Sequence, residues 1–122
     1  MAKKIMLVDD EENLLELVKT LLTQTKFEVI GTSSGEECLE KLKEVKPDLL
    51  LVDVMMPGMS GIELIEKIRK NPRTKNLKVA LLTIVRYSEL GEDVIKRLSI
   101  SDYISKPFDN EDLIRRVKKL VE

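Results

Sequence analysis

Three runs of consecutive apolar residues set the frame for this chain: Ile5-Met6-Leu7-Val8, Leu49-Leu50-Leu51-Val52 and Val79-Ala80-Leu81-Leu82. A strand with one wet face alternates apolar and polar residues, so an unbroken run ended by polar residues reads as a strand covered on both faces. Between the runs the period becomes helical. Leu14, Leu15, Val18, Leu21 and Leu22 share one face, as do Leu39, Leu42 and Val45, and then Ile62, Ile65 and Ile68. Leu90, Val94, Ile95 and Leu98 form a fourth stripe, and Leu113, Ile114, Val117, Leu120 and Val121 a fifth. Such stripes suit helices laid on a sheet. Phe27 to Ile30 and Asp102-Tyr103-Ile104 supply two weaker strands. Ser34 with Glu37 and Ser60 with Glu63 have capping-box spacing, and Pro72 stops the third helix. Five strands alternating with five helices predict a parallel α/β sheet with right-handed crossovers and helices on both faces. With 122 residues and no repeat or linker, residues 1–122 read as one domain.

Composition removes several function classes. Lys and Arg number 21 against 22 Asp and Glu, so the net charge of -1 offers no bulk attraction to a polyanion. Two Tyr, two Phe and no Trp are too few for a base-stacking platform, and no direct nucleic-acid contact is expected. The chain has no His, hence no Ser-His triad, imidazole base or His-ligated zinc. Its one Cys, Cys38, allows neither an intrachain disulfide nor a cysteine cage, and its place on the apolar side of the second helix reads as packing. The longest nearly apolar stretch, Val79 to Val85, is far short of the roughly 20 residues a membrane helix needs. No charged leader followed by an apolar run opens the sequence, so a cytoplasmic place without membrane contact is expected.

In open parallel sheets, sites form beyond the carboxyl ends of the strands. Asp9 and Asp10 follow the first run, Asp53 the third, Thr83 closes the fourth, and Lys106 with Pro107 follows the fifth. Three close carboxylates repel one another, and a divalent cation relieves the conflict. Hard oxygen ligands without His select Mg²⁺, for which Mn²⁺ can substitute. One carboxylate is then free to attack a phosphoryl group and form an acyl phosphate, with the Lys ammonium and the Thr hydroxyl stabilising the transferred charge. Taken singly, each residue has a plainer reading: a helix cap, a turn aspartate, a β-branched strand residue, a surface lysine. The coincidence at four of five strand ends favours the chemistry.

These residues match a family. Asp9-Asp10, Asp53 followed by Met55-Met56-Pro57-Gly58-Met59-Ser60-Gly61, Thr83, and Asp102-Tyr103 with Lys106-Pro107-Phe108 resemble the receiver domain of response regulators, from Lys4 to Val121. The resemblance implies a flavodoxin-like (βα)5 three-layer sandwich with strand order 2-1-3-4-5. It implies two-component or phosphorelay signalling, with Asp53 as phosphoacceptor. Asp10, Asp53 and the Met55 backbone carbonyl would hold Mg²⁺ directly, and Asp9 through water. Lys106 and Thr83 would contact the phosphoryl group, Tyr103 would be the switch aromatic, and the Lys106-Pro107 bond would be cis. The donor would be a phosphohistidine on a histidine kinase or phosphotransfer protein, docking near Asn13 and Leu14. The surface around the fourth helix, fifth strand and fifth helix would switch for a downstream protein or an output domain missing from this chain. The protein would be a phosphoacceptor catalysing its own phosphorylation and dephosphorylation rather than an enzyme with external turnover.

Two positions depart from the family pattern. Ile84 stands where Ala or Gly follows the threonine, predicting a crowded site and a long-lived phosphoryl state. Ser99-Ile100-Ser101 replaces a Gly-Ala turn, predicting a reshaped turn because Ser lacks glycine's freedom at positive φ. A receiver-like module with an altered switch is therefore one alternative. A Mg²⁺-dependent aspartyl-phosphate phosphohydrolase is another, although Met55 stands where such enzymes carry their acid. A flavodoxin-like cofactor protein would need a phosphate-cradling loop, and Asp9-Asp10-Glu11-Glu12 repels phosphate. Met55, Met56 and Met59 read as a loop packed on the core. Arg115, Arg116, Lys118 and Lys119 read as a solvated helix face, with a homodimer through the fourth helix, fifth strand and fifth helix as the sharper alternative.

Overall fold

The computed structural model describes residues 2–122. Five parallel strands lie in the order β2-β1-β3-β4-β5: β1 (Lys4–Val8), β2 (Glu28–Thr32), β3 (Leu49–Val52), β4 (Val79–Thr83) and β5 (Asp102–Ser105). The helices are α1 (Glu12–Gln24), α2 (Gly35–Leu42), α3 (Gly61–Lys70), α4 (Tyr87–Leu90), α5 (Glu92–Arg97) and α6 (Asn110–Leu120). The continuous apolar runs divide by parity between the two faces. Met6, Val8, Leu50, Val52, Val79 and Leu81 pack with α2, α3 and the α4–α5 segment; Ile5, Leu7, Leu49, Leu51, Ala80 and Leu82 pack with α1 and α6. Neither parity can be polar, because a helical layer covers both.

Local rules set the helix ends. Ser34 and Ser60 accept from the backbone N–H groups of Glu37 and Glu63 at 3.1 and 3.2 Å. The reciprocal arm of the first box reaches one residue further back, Glu37 accepting from the Ser33 N–H at 2.6 Å. The fourth helical stretch, expected as one helix, is divided at Gly91, which takes φ 93 and ψ 142. A left-handed φ ends the regular hydrogen bonding of one helix and starts the next in a new direction. The serine turn keeps the conformation a glycine would take: Ser99 has φ 53. Side-chain bonds hold it there, since Arg69 donates to the carbonyls of Leu98 at 2.8 Å and of Ser99 at 3.3 Å.

Candidate functional site

The strand ladder continues past the strand ends and brings the candidate residues level. The Asp9 N–H donates to the Thr32 carbonyl at 3.1 Å, the Asp53 N–H to the Val8 carbonyl at 3.0 Å, and the Lys106 N–H to the Thr83 carbonyl at 2.9 Å. Each side chain thus leaves a backbone that is already hydrogen-bonded to its neighbour. Carboxylate oxygens of Asp9, Asp10 and Asp53 lie within 4.8 Å of one another. Asp9 and Asp53 are buried, and Asp10 is exposed.

Lys106 answers part of this charge. Its Nζ is 2.6 Å from Asp9 and 3.5 Å from Asp53, with 10% of the side chain exposed. One ammonium facing three carboxylates leaves a net negative pocket, and its hard oxygen donors suit Mg²⁺. Burial pushes the Asp53 carboxyl above the ordinary carboxylate range. The Lys106 charge opposes that shift, Asp9 adds to it, and the Met55 N–H and the Thr83 hydroxyl oppose it. The Met55 N–H donates to Asp53 Oδ1 at 3.2 Å, so the Met55 backbone runs beside the acid while its side chain is 59% exposed. Thr83 is fully buried, and its hydroxyl accepts from the Val85 N–H at 3.2 Å. The Lys106–Pro107 peptide bond is cis.

Not every sequence candidate falls in this cluster. Tyr103 packs on the α2–α5 face with its hydroxyl buried, and among the described residues that hydroxyl has no hydrogen-bond partner. Ile84 is 66% exposed, so most of its side chain stands in solvent. Arg116 is more than a solvated cation. It holds both Asp102 oxygens at 2.8 and 3.0 Å and Asp112 at 2.9 Å, tying α6 to the start of β5. Cys38 is buried with Sγ 3.8 Å from Met6 Sδ.

Two residues that the sequence did not single out for the site shape it. Gly61 donates its N–H to the Val54 carbonyl, and a Cβ there would collide with the Asp53 carbonyl. Its sequence signals are its place after the cap Ser60 and at the end of the Met55-to-Gly61 motif, and neither points to a close approach to Asp53. Thr32 donates its hydroxyl to the Leu7 carbonyl at 2.7 Å, fixing the β1 end that carries Asp9; an edge-strand threonine gives no such signal.

The sequence matches the response regulator receiver domain over residues 5–118. It is 36% identical over 121 residues to the alkaline phosphatase synthesis transcriptional regulatory protein PhoP of Bacillus subtilis, covering 99% of this chain and 49% of that protein. It is 39% identical to the phosphate regulon transcriptional regulatory protein PhoB of Rhizobium meliloti, covering 99% and 53%. The chain thus spans about half the length of these curated relatives. Among solved structures, the chemotaxis protein CheY4 of Vibrio cholerae aligns with a TM-score of 0.91 at 26% identity, over 98% of this chain and 99% of that one. The response regulator TrrA of Thermotoga maritima, solved in complex with Mg²⁺ and BeF, aligns with a TM-score of 0.83 at 38% identity, covering 97% and 98%.

Proposed function

This chain belongs to the response regulator receiver family, and from that membership we propose that Asp53 is its phosphoacceptor. As a receiver domain it works between histidine kinases and downstream effectors in two-component signalling, and its family generally binds Mg²⁺. The observation that carries the assignment to Asp53 is its position. It is a buried acid at the end of the central strand β3, with carboxylate oxygens of Asp9 and Asp10 from the adjoining β1 end within 4.8 Å and the Lys106 ammonium 3.5 Å away.

Asp10 and Asp53 would hold the cation directly, with the Met55 backbone carbonyl as a further ligand and Asp9 acting through water; Mg²⁺ held there would neutralise phosphoryl oxygens and let an anionic donor approach anionic residues. Asp53 attacks phosphorus. The new P–O bond forms as the donor's P–N bond breaks, its electron pair leaving on the imidazole nitrogen of a phosphohistidine. The chain has no His of its own, so that group comes from a separate protein or domain. Lys106 moves from Asp9 to the transferred phosphoryl oxygens, and the Thr83 hydroxyl donates to another. Met55 at the second position after Asp53 offers no acid for a fast hydrolytic turnover, so the product is a signalling state. The partner of that state is a downstream protein or an output domain carried outside this chain, read on the α4–β5–α6 side.

The test is incubation with acetyl phosphate and Mg²⁺, read by intact mass. One phosphoryl group is expected on the native chain, none on Asp53→Asn, and one on Asp48→Asn. Asp48 accepts from the Lys4 N–H at 2.8 Å, a bond that an asparagine oxygen keeps. Labelling that survives in Asp53→Asn would refute the assignment.

A further inference from the structure

The end of the molecule opposite the acids holds a groove that the phosphoryl chemistry does not use. It lies at the amino ends of β3 and β4, whereas the acids sit beyond the carboxyl ends. Its walls are the loop from α2 to β3, residues 43–48, and the loop from α3 to β4, residues 71–78. A hollow of about 650 Å³ between them meets a second of about 370 Å³ beside Lys67, and the two share Leu42, Lys43, Arg73 and Thr74. Two hollows that share a wall make a trough. Both of its sides are built before anything binds. The Asp48 N–H donates to the Lys4 carbonyl and its carboxylate accepts from the Lys4 N–H, both at 2.8 Å, which stitches one loop to β1. The facing loop is held by Arg69, which donates to the carbonyls of Lys75 at 2.9 Å and Leu77 at 2.6 Å, and by the Thr74 hydroxyl, which donates to the Ile68 carbonyl at 2.8 Å. A preformed groove spends little ordering entropy on binding.

Charge and donors narrow the occupant. Lys43, Lys46, Arg73 and Lys78 line the larger hollow, and all four are exposed. Among the described residues, Lys46, Arg73 and Lys78 form no ion pair with a carboxylate. Against them stand Glu44 and Asp48, and Asp48 is already engaged by Lys4. The hollow is therefore short of negative charge. Its apolar lining, Leu42, Val45, Pro47 and Leu77, is buried or half-buried. A phosphate site is built from converging backbone N–H groups, and these loops offer few. Pro47 and Pro72 have none, and those of Lys43, Val45, Asp48, Arg73, Thr74 and Leu77 are spent on bonds within the chain. Separate cations around an apolar floor suit side-chain carboxylates spaced along a peptide, with an apolar side chain between them.

We propose that this groove docks an acidic segment of a partner protein, a short extended stretch of Asp and Glu with an apolar residue among them. The apolar residue meets the floor at Leu42, Val45 and Leu77, and the carboxylates meet Lys46 from one wall and Arg73 from the other. The groove and Asp53 lie at opposite ends of the sheet. The segment therefore stays bound whether or not Asp53 carries a phosphoryl group, and the groove tethers the chain to its partner while the other end signals. The docking does not depend on the phosphoacceptor reading.

The test titrates the full chain with a fluorescent peptide, Asp-Glu-Leu-Asp-Glu-Leu-Asp-Glu, at physiological ionic strength, read by anisotropy and by amide NMR. Amide shifts should fall on residues 39–48 and 67–78. Lys46→Glu with Arg73→Glu should weaken binding severalfold. Lys19→Glu with Lys96→Glu, the same charge change at exposed positions on α1 and α5, should leave it as in the native chain. A peptide with serine in place of both leucines should bind severalfold more weakly. No binding, equal weakening by the two double variants, or shifts spread over basic residues at large would overturn the proposal. Tripolyphosphate binding the groove more tightly than the peptide would identify a small-anion site and overturn the peptide reading. Beryllofluoride with Mg²⁺ should leave the peptide affinity unchanged, and Asp53→Asn should bind the peptide like the native chain. A severalfold change in either would overturn the independence of the two ends.

Discussion

At the scale of single residues, Asp53 is held in a state it is built to leave. Its carboxyl is pushed up first by burial and then by Asp9, against the pull of Lys106. A carboxyl whose folded pKa exceeds its unfolded value contributes stability that is complete below the unfolded value and is lost as pH rises through the folded one. At neutral pH the charged Asp53 therefore destabilises the metal-free fold, and Asp53→Asn should raise its Tm. Carboxyl ¹³C titration of metal-free protein should place Asp53 above the ordinary 3.8 and move it further up in Lys106→Ala. A downward move in that variant would contradict the role given to the ammonium. Cys38 follows the same sign: burial pushes its thiol up to about 12 from 9.0. Denaturant unfolding should show stability falling above pH 9 more steeply in the native chain than in Cys38→Ala. The acids, the threonine and the lysine were legible in the sequence because each ends a strand. The preference of Lys106 for Asp9 over Asp53 was not, since a difference of 2.6 against 3.5 Å belongs to three-dimensional placement.

At the scale of elements, the ends of β1, β3, β4 and β5 carry the site, and small residues set the course of the chain between them. Gly61 is required by close approach: Gly61→Ala would drive a methyl into the Asp53 carbonyl and, at 2.9 Å, into Val52. Such overpacking costs about 1–3 kcal/mol. The variant should lose that much stability in urea unfolding and should also accept phosphoryl groups more slowly, whereas Ser60→Ala, which removes only the α3 cap, should cost about 1 kcal/mol and leave the rate near native. Equal rates in Gly61→Ala and the native chain would show that the backbone at Asp53 tolerates displacement. Strands and caps could be read from period and spacing, because both are local. The division at Gly91 could not: Leu90, Val94, Ile95 and Leu98 keep a helical period across a glycine that breaks the backbone. The serine turn escaped for a related reason. Ser99 adopts φ 53 where Arg69, 30 residues away in the chain, holds its carbonyl.

At the scale of the molecule, the near-zero net charge conceals a division. Helix first turns, which face the site end of the sheet, carry Glu12, Glu36, Glu37, Glu63, Glu92, Asp93, Glu111 and Asp112; last turns carry Lys41, Lys67, Arg69, Lys70, Lys96, Arg97, Lys118 and Lys119. Each placement complements its helix dipole, and together they make one end of the molecule acidic and the other basic. Summed composition hides this arrangement, which favours a divalent cation at the strand ends. Mg²⁺ at 100 times its Kd should stabilise the fold by about 2.7 kcal/mol, seen as a rise in Tm that Asp10→Asn abolishes. No rise in the native chain would remove the cation from the account. The central claim is that Asp53 takes the phosphoryl group, and trapping is its most direct test. After reaction with acetyl phosphate and Mg²⁺, borohydride reduces an acyl phosphate to the alcohol, and peptide mass mapping reads the position. The account predicts homoserine at position 53 alone; reduction at position 9 or 10, or none while Mg²⁺ is bound, would contradict it.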